Sequence, residues 1–318
     1  MWLHDDAEKH VTGARRLVAI DVGSNTVRAL AADVMPDGQM MRLTDRFQMT
    51  ALGRGLETGG DMDTVAIRQT AEFVARFLCE VGPVDGVYCV GTAAARDAGN
   101  TEELQRALHD MAGVELTVVT GAEEARLTFM GAIASIDSSA AVAPLVADVG
   151  GRSTELTVLR DGQVEVCSVA LGARSLTENC LHCDPSSEEE MAAARYVVDG
   201  ALAAYAEIMD GADLFIAAGG TACSAAMLAG GRWELGHSRL MHMQERLCRM
   251  TLEGRRAALA FDPSRAEIMC GGLILLERLA ARAPDRCVII TTGGIREGLL
   301  LSGSGVQKFV PGRCASDL

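Results

Sequence analysis

One strand–turn–strand pattern occurs twice in this chain, and this repetition is what most constrains the fold. The first copy spans Leu17–Leu30 and the second spans Val146–Leu159. In each copy an apolar run ends in Asp-Val-Gly, polar residues follow, and a second apolar run begins. Each copy then reaches an Asp-Gly pair, which is a strong signal for a hairpin between strands. The repetition predicts a duplication, with two related α/β lobes that each offer a turn to a ligand in the cleft between them.

The polar residues at the two turns are suited to binding phosphate. Glycine lets the backbone approach a ligand closely, and consecutive N–H groups in such a turn form a concavity for an anion. An aspartate beside phosphate oxygens is a natural ligand for Mg²⁺. We therefore predict Asp21 and Asp148 as magnesium ligands. The predicted phosphate contacts are Gly23, Ser24, Asn25 and Thr26 in the first turn, and Gly150, Gly151, Arg152, Ser153 and Thr154 in the second.

Composition limits the classes of partner and the cellular compartment. The 318 residues can bury a large core in two domains, and a net charge of -14 argues against nonspecific nucleic-acid binding. The charged start of the chain does not resemble a signal peptide, and the uncharged stretch from Leu214 to Gly231 contains two Gly-Gly pairs, so no membrane span is predicted. Ten cysteines without an export signal favour reduced thiols in the cytoplasm.

Three further segments carry candidate functional residues. A buried-type strand, Val84–Val90, leads to a loop with Arg96, which is either a phosphate-binding fork or a surface ion-pair partner. Glu123 and Glu124 open a helix, where they favour the helix dipole or serve the site between the turns. Two Gly-Gly turns, at Gly219 and Gly293, precede helices whose N-termini can accept anions. The stretch Ser187–Met209 is predicted as one amphipathic helix with Ser186 or Ser187 as its N-cap.

Together, and in their order along the chain, these motifs resemble the exopolyphosphatase / guanosine pentaphosphate phosphohydrolase (Ppx/GppA) family of the actin, Hsp70 and sugar-kinase superfamily. The resemblance covers about Leu17 to Leu301. It implies an α/β fold of two ribonuclease-H-like (actin-like ATPase) lobes around a central cleft. We place the lobes at 15–126 and 127–301, with 302–318 packing back on the first. The motifs are Ile20–Thr26, Gly91–Asn100, Gly121–Leu127, Asp148–Leu156, Leu171–Ala173, Gly219–Thr221 and Gly293–Gly298.

The resemblance also implies roles for individual residues. The family's catalytic glutamate falls on Glu124, its two further site acids fall on Asp148 and Glu155, and its phosphate-binding arginine falls on Arg96. One departure is Arg152, which stands where the family's turn has a third glycine. If that position needs a positive φ, arginine there costs about 1 kcal/mol or more.

The function that the resemblance implies is Mg²⁺-dependent hydrolysis of the terminal phosphoanhydride of inorganic polyphosphate, with Glu124 as general base. Guanosine pentaphosphate is the alternative substrate. A kinase of the same superfamily and a non-catalytic sensor of polyphosphate or an alarmone are rival hypotheses. The cluster of acids favours an enzyme, because a pure anion binder gains nothing from carboxylates beside its ligand. Family members often pair, so a homodimer is a further expectation.

Overall fold

The computed structural model describes residues 13–56, 59–136, 141, 143–160, 163–282, 285 and 287–303. The chain divides into two compact units. One runs to Gly121 and includes the segment from Leu299, and the other spans Ala122–Gly298. These limits lie close to the predicted 15–126 and 127–301. The predicted return of 302–318 to the first lobe falls almost wholly outside the described residues, as does the turn at Asp161-Gly162.

The first unit is built on a five-stranded mixed sheet. Its strands are β1 (Arg15–Val22), β2 (Thr26–Val34), β3 (Met40–Met49), β4 (Gly86–Gly91) and β5 (Thr117–Val118), and its helices are α1 (Thr64–Val81), α2 (Ala93–Asp97) and α3 (Thr101–Ala112). The strand order is β3-β2-β1-β4-β5. The first three strands form an antiparallel meander, and β4 and β5 continue the sheet in parallel with β1.

The second unit is built on a six-stranded mixed sheet. Its strands are β6 (Pro144–Val149), β7 (Thr154–Arg160), β8 (Gln163–Val169), β9 (Leu214–Ala218), β10 (Glu234–Gly236) and β11 (Cys287–Ile290). The helices that follow α3 along the chain are α4 (Gly121–Ala134), α5 (Ala173–Cys180), α6 (Glu188–Ala203), α7 (Ala206–Met209), α8 (Gly219–Leu228), α9 (His237–Cys248), α10 (Leu252–Ala258), α11 (Met269–Ala280) and α12 (Ile295–Ser302), with a 3-10 helix at Pro263–Glu267.

The two sheets share one topology. In the second, the order is β10-β11-β9-β6-β7-β8, with an antiparallel meander β6-β7-β8 and parallel additions β9 and β11. Removing the short edge strand β10 leaves the arrangement of the first sheet. The predicted α/β class and the predicted duplication of the meander are therefore confirmed in the fold.

Both faces of the second sheet are covered, and the alternation of side chains along each strand divides them. One face packs against the main core of this unit, which includes Leu145, Ala147, Leu156 and Val158. On the other face, Phe129 and Ala132 of α4 pack against Val146, Ile216 and Ala218. We call this second side of the sheet the α4 face.

The structure bears on two predictions from the sequence, the absence of a membrane span and the reduced state of the cysteines. No helix among the described residues is long and apolar enough to span a membrane. Eight cysteines in the described part of the chain are free thiols, whereas Cys79 is disulfide-bonded, so the expectation of uniformly reduced thiols is wrong at that residue. The cytoplasmic location stays a prediction.

Candidate active site

Asp148 and Glu155 lie side by side on the α4 face. They are direct partners in the antiparallel register of β6 and β7, and such partners project from the same face of a sheet. Asp148 has the parity of Val146, which α4 covers, and its partner on β9 is Ala218, which belongs to the same cluster. The strand–turn–strand pattern therefore brings these two predicted acids together, with the glycine turn between them.

Asp148 lies against the first residue of α8. Gly219 has φ +81°, a conformation that favours glycine, and a Cβ there would overlap Asp148 Oδ1. The Gly219 backbone and the Asp148 carboxylate thus approach in a way that leaves no room for a side chain. This contact explains the first glycine of the Gly-Gly-Thr turn, because it sets the helix start directly beside the acid.

Glu155 is held by two hydroxyl groups on one of its oxygens. Ser153 Oγ donates to Oε1 at 2.6 Å, and Ser168 Oγ on β8 donates to the same oxygen at 3.1 Å. The other oxygen, Oε2, lies 4.0 Å from the position that a Cβ on Gly150 would take. The side chain therefore turns one oxygen to the serines and the other toward the glycine turn.

The second turn is closed and braced by backbone hydrogen bonds. Gly150 N donates to Ser153 O at 3.0 Å, and the carbonyl of Gly151 accepts from Arg174 N and Ser175 N. A Cβ on Gly172 would lie 2.5 Å from Arg152 N, so the start of α5 packs tightly on the turn. This packing accounts for the Leu-Gly-Ala motif at 171–173, whose glycine permits the contact.

Arg152 adopts an ordinary backbone conformation. Ala51 is the one non-glycine residue with positive φ in the part of the chain that the structure describes. Position 152 therefore does not need a positive φ, and the condition under which arginine would cost strain at this turn is not met. Arg152 is exposed, so its guanidinium adds a cation beside the turn without a backbone penalty.

The hydroxyls of two threonines brace the second turn. Thr154 is fully buried, and its Oγ1 donates to Leu171 O at 2.7 Å. Thr221, in the first turn of α8, donates from Oγ1 to Val149 O at 3.0 Å. The hydroxyl proton of Thr154 is thus used within the fold, and its predicted contact with phosphate stays a prediction.

Glu124 lies in the first turn of α4, the helix that covers the face carrying Asp148 and Glu155. It is half-buried, whereas Glu123 is exposed. The helix is held against the turn before α12 by close backbone contacts, since a Cβ on Gly131 would overlap Gly294 O and a Cβ on Gly298 would overlap Leu127 O. Both glutamates lie in the first helical turn, where the helix dipole favours a negative charge, but only Glu124 is partly buried.

Hydrogen bonds within the Gly293-Gly294 turn argue against its interpretation as an anion site. Gly293 N donates to Thr291 Oγ1 at 2.9 Å, and Gly294 N donates to Glu297 Oε2 at 2.8 Å. Both N–H groups are thus used within the turn. Gly293 also allows close packing on α4, because a Cβ there would overlap Gly131 O, so this turn serves the packing of α4.

The first turn, in the first unit, has the same internal geometry as the second. Gly23 N donates to Thr26 O at 3.2 Å, as Gly150 does to Ser153. The loop that follows β3 fastens it, because Asn25 O accepts from Thr50 N and Ala51 N, and Ser24 O accepts from Gly53 N. Asp21 lies near the end of β1 and acts on the neighbouring Cys89. Burial raises the pKa of the Cys89 thiol, and the Asp21 carboxylate raises it further.

Arg96 is fixed at the carboxyl ends of parallel strands in the first unit. It lies on α2, immediately after β4, and its Nη1 donates to Val119 O at 2.9 Å, just past β5. This hydrogen bond gives Arg96 a defined position, although the residue is exposed. Its role as a phosphate-binding fork stays a prediction. Asp21 is the penultimate residue of the neighbouring parallel strand β1, so both residues lie near the same edge of this sheet.

The donor set in the second unit suits magnesium better than a metal that needs an all-protein cage. No group of three or more His, Cys, Asp or Glu side chains able to hold a metal occurs among the described residues. Mg²⁺ is usually bound through one or two carboxylates together with water and substrate phosphates. Asp148 and the outward oxygen of Glu155 provide such a pair of hard oxygen ligands beside a phosphate-type turn.

Sequence reasoning did not find Ser168, nor the bracing hydroxyls of Thr221 and of Thr92, its counterpart after β4. Thr92 Oγ1 lies 3.5 Å from Val22 O, as Thr221 Oγ1 lies near Val149 O. The signal available was the threonine that follows the fourth strand of each unit, which pairs in parallel with the strand ending in Asp-Val-Gly. Ser168 had no such signal, because its contact with Glu155 follows from strand register.

Known proteins resemble this chain over most of its length. The model of the Ppx/GppA phosphatase family matches residues 32–305. The chain is 31% identical to Exopolyphosphatase 2 of Mycobacterium tuberculosis, over 91% of this chain and 99% of that protein. It is 26% identical to the guanosine-5'-triphosphate,3'-diphosphate pyrophosphatase of Vibrio atlanticus, covering 88% of this chain and 58% of that one.

Solved structures give the same result for the fold. The chain superposes on a Ppx-GppA enzyme of Aquifex aeolicus with a TM-score of 0.79 and 25% identity, covering 91% of this chain and 99% of the other. The predicted actin-like ATPase fold is confirmed by this similarity.

Proposed function

The chain belongs to the Ppx/GppA phosphatase family, and we propose that it is an exopolyphosphatase that removes the terminal phosphate of inorganic polyphosphate. It is a hydrolase acting on phosphoanhydride bonds, as its relatives are by name. The identity of 31% over nearly the whole length of an exopolyphosphatase supports polyphosphate as the substrate.

The observation that carries the proposal is the pairing of Asp148 and Glu155 across the glycine turn, on the sheet face covered by α4, the helix that carries Glu124 in its first turn. Hydrolysis of a phosphoanhydride needs an in-line water and stabilisation of charge on the phosphoryl oxygens. The glycine turn offers backbone N–H groups to phosphate oxygens, and the two carboxylates beside it offer ligands for a metal ion. A non-catalytic sensor would be disfavoured by the same acids, because they repel the anion.

In the proposed reaction, Glu124 acts as general base. It takes a proton from the water that attacks the terminal phosphorus, and the bond from that phosphorus to the bridging oxygen breaks. The shortened polyphosphate leaves with the bridging oxygen. The backbone N–H groups and side chains of the second turn, including Arg152 and Ser153, hold phosphate oxygens during this step.

Magnesium would be held by Asp148, with help from Glu155 or Asp21. When bound, Mg²⁺ neutralises phosphoryl oxygens and favours the charge that develops on them. The residues of the first unit have proposed roles in substrate binding: Arg96 steadies a phosphoryl group, and the turn from Gly23 to Thr26 binds a further phosphate. A homodimer likewise stays a prediction.

Guanosine pentaphosphate is the second candidate substrate. Its support is the similarity to the Vibrio atlanticus protein, whose name specifies a guanosine 5'-triphosphate 3'-diphosphate. The chemistry at the reacting phosphorus is the same for both substrates, so the two proposals differ only in what binds beyond the terminal phosphates.

The test is phosphate release by the purified chain from short polyphosphate, long polyphosphate and guanosine pentaphosphate, each with Mg²⁺ and with EDTA. We expect release from polyphosphate that EDTA abolishes and added Mg²⁺ restores. Release from guanosine pentaphosphate alone would transfer the assignment to the second substrate. Absence of release from all three, or release only when ATP and an acceptor are supplied, would contradict hydrolysis.

A further inference from the structure

We propose that Ser168 is a positioning residue that sets the orientation of Glu155, an inference that rests on the proposed function of this site. Ser168 and Glu155 are register partners on β8 and β7, so both side chains project from the α4 face. Ser168 is thirteen residues from Glu155 in sequence, and no motif of the turn includes it. Its role follows from where the third strand of the meander lies.

The two oxygens of Glu155 have different surroundings, and Ser168 helps to create the difference. Oε1 accepts hydrogen bonds from Ser153 Oγ at 2.6 Å and from Ser168 Oγ at 3.1 Å. A carboxylate oxygen that accepts two hydroxyl protons is fixed in direction, because hydrogen bonds to a charged group are the stronger ones. Oε2 is left pointing toward Gly150, where the proposed phosphates and Mg²⁺ lie.

Ser153 alone would not hold this orientation. It lies two residues before Glu155 in the turn itself, and it is a proposed phosphate contact, so bound substrate competes for its hydroxyl. Ser168 lies on the next strand and remains available to Glu155 when the turn is occupied. The Ser168 carbonyl accepts a separate hydrogen bond from Tyr205 Oη at 3.1 Å, which does not involve the Ser168 hydroxyl.

The test combines a double-variant cycle with a binding measurement. Ser168→Ala should lower kcat for polyphosphate about ten- to hundredfold, the effect of one hydrogen bond to a charged group, while KM changes less than twofold. Ser168→Thr, which keeps the hydroxyl, should restore kcat to within about twofold. In a Glu155→Ala background, Ser168→Ala should have no further effect, because the residue through which it acts is gone.

A readout that does not depend on turnover is Mg²⁺ binding by calorimetry with imidodiphosphate, a non-hydrolysable phosphoanhydride analogue. We expect Ser168→Ala to raise the half-saturating Mg²⁺ concentration about threefold or more. Tyr205→Phe is the matched control. It removes the bond to the Ser168 carbonyl but keeps the Ser168 hydroxyl, so kcat and Mg²⁺ binding should stay within about twofold of the wild type.

The outcomes separate the two proposals. A wild-type chain that releases no phosphate overturns the proposed function, and the calorimetric comparison still tests Ser168. If the wild type is active but Ser168→Ala lowers kcat equally with and without Glu155, the positioning role is refuted. An unchanged Mg²⁺ affinity in Ser168→Ala, or an effect of equal size in Tyr205→Phe, also refutes it.

Discussion

Gly219 shows how a single residue can control the geometry of an acid far away in sequence. Its φ of +81° and its approach to Asp148 Oδ1 are both conditions that only glycine meets. Gly211 has the same φ of +81°, but a Cβ there would meet nothing within 4 Å. Comparing an alanine substitution at Gly219 with one at Gly211 therefore distinguishes the free-energy cost of the backbone conformation from the cost of displacing the Asp148 carboxylate.

We predict that Gly219→Ala lowers phosphate release at least tenfold and destabilises the fold by more than Gly211→Ala does. Gly211→Ala should cost about 1 kcal/mol, the typical penalty for a left-handed alanine, and leave activity unchanged. Urea unfolding and a phosphate-release assay check both variants. Equal losses of stability with full activity in Gly219→Ala would show that the contact with Asp148 has no catalytic consequence.

Arg152 stands where the family has glycine, but its φ is not positive. The prediction here is therefore for a substitution that introduces glycine rather than one that removes it. Arg152→Gly should relieve no strain and should lower stability by about 0.5–1 kcal/mol through the flexibility of glycine. KM for polyphosphate should rise severalfold, because a cation beside the turn is lost. A gain in unfolding free energy, or an unchanged KM, would argue against this interpretation of the exposed guanidinium.

At the scale of elements, the N-terminus of α6 is organised by one carboxylate. Glu190 accepts from Ser187 N at 3.0 Å and from His182 N and Cys183 N at 2.9 Å, while Ser187 Oγ accepts from Glu190 N. This is a capping box extended to the preceding loop. The N–H of Ser187, followed by those of His182 and Cys183, lowers the pKa of Glu190 from 4.5 to about 2.

Because the folded pKa lies below the unfolded one, this carboxylate stabilises the fold fully above pH 4.5, and its contribution is lost as pH falls toward 2. We predict that the difference in unfolding free energy between the wild type and Glu190→Gln is largest near pH 7 and shrinks steadily below pH 4.5. Glu189→Gln, in the same turn, is the control and should show a smaller pH-dependent difference. A difference for Glu190→Gln that does not vary with pH would contradict the capping role.

Local patterns predicted the elements well where the pattern itself decides the structure. The N-cap at Ser187 and both strand–turn–strand units follow from residue periodicity and turn chemistry. The stretch 187–209 was predicted as one helix but forms α6 and α7, and Tyr205 between them bonds to the Ser168 carbonyl. Such a break depends on tertiary partners, which a local pattern does not contain.

The candidate site divides in the same way. The place of Asp148 at the second turn was predictable because this turn repeats the first copy, whereas Glu124 came only from a family motif, and its catalytic role stays a prediction. The contacts of Gly219 with Asp148, of Thr221 with Val149 and of Ser168 with Glu155 join residues from different strands and helices. Strand order and register determine them, so they became visible only in the structure.

At the scale of the whole molecule, one topology has been used twice with different chemistry at equivalent positions. Asp21 faces Arg28 across β1 and β2, whereas Asp148 faces Glu155 across β6 and β7. The first unit thus places a cation where the second places an acid. A chain with a net charge of -14 needs such local cations to receive a polyanion. The two units therefore share one topology, and they differ in the charge of the residue opposite the aspartate, which is Arg28 in the first unit and Glu155 in the second.

The most direct measurement of the central claim is phosphate release by Glu124→Gln, with Glu123→Gln as the matched control from the same helix turn. We predict that Glu124→Gln lowers kcat for polyphosphate at least a hundredfold while KM stays within about threefold, because general-base catalysis is worth this much. Glu123→Gln should retain nearly full kcat. Unchanged phosphate release by Glu124→Gln, or an equal loss in both variants, would contradict the account.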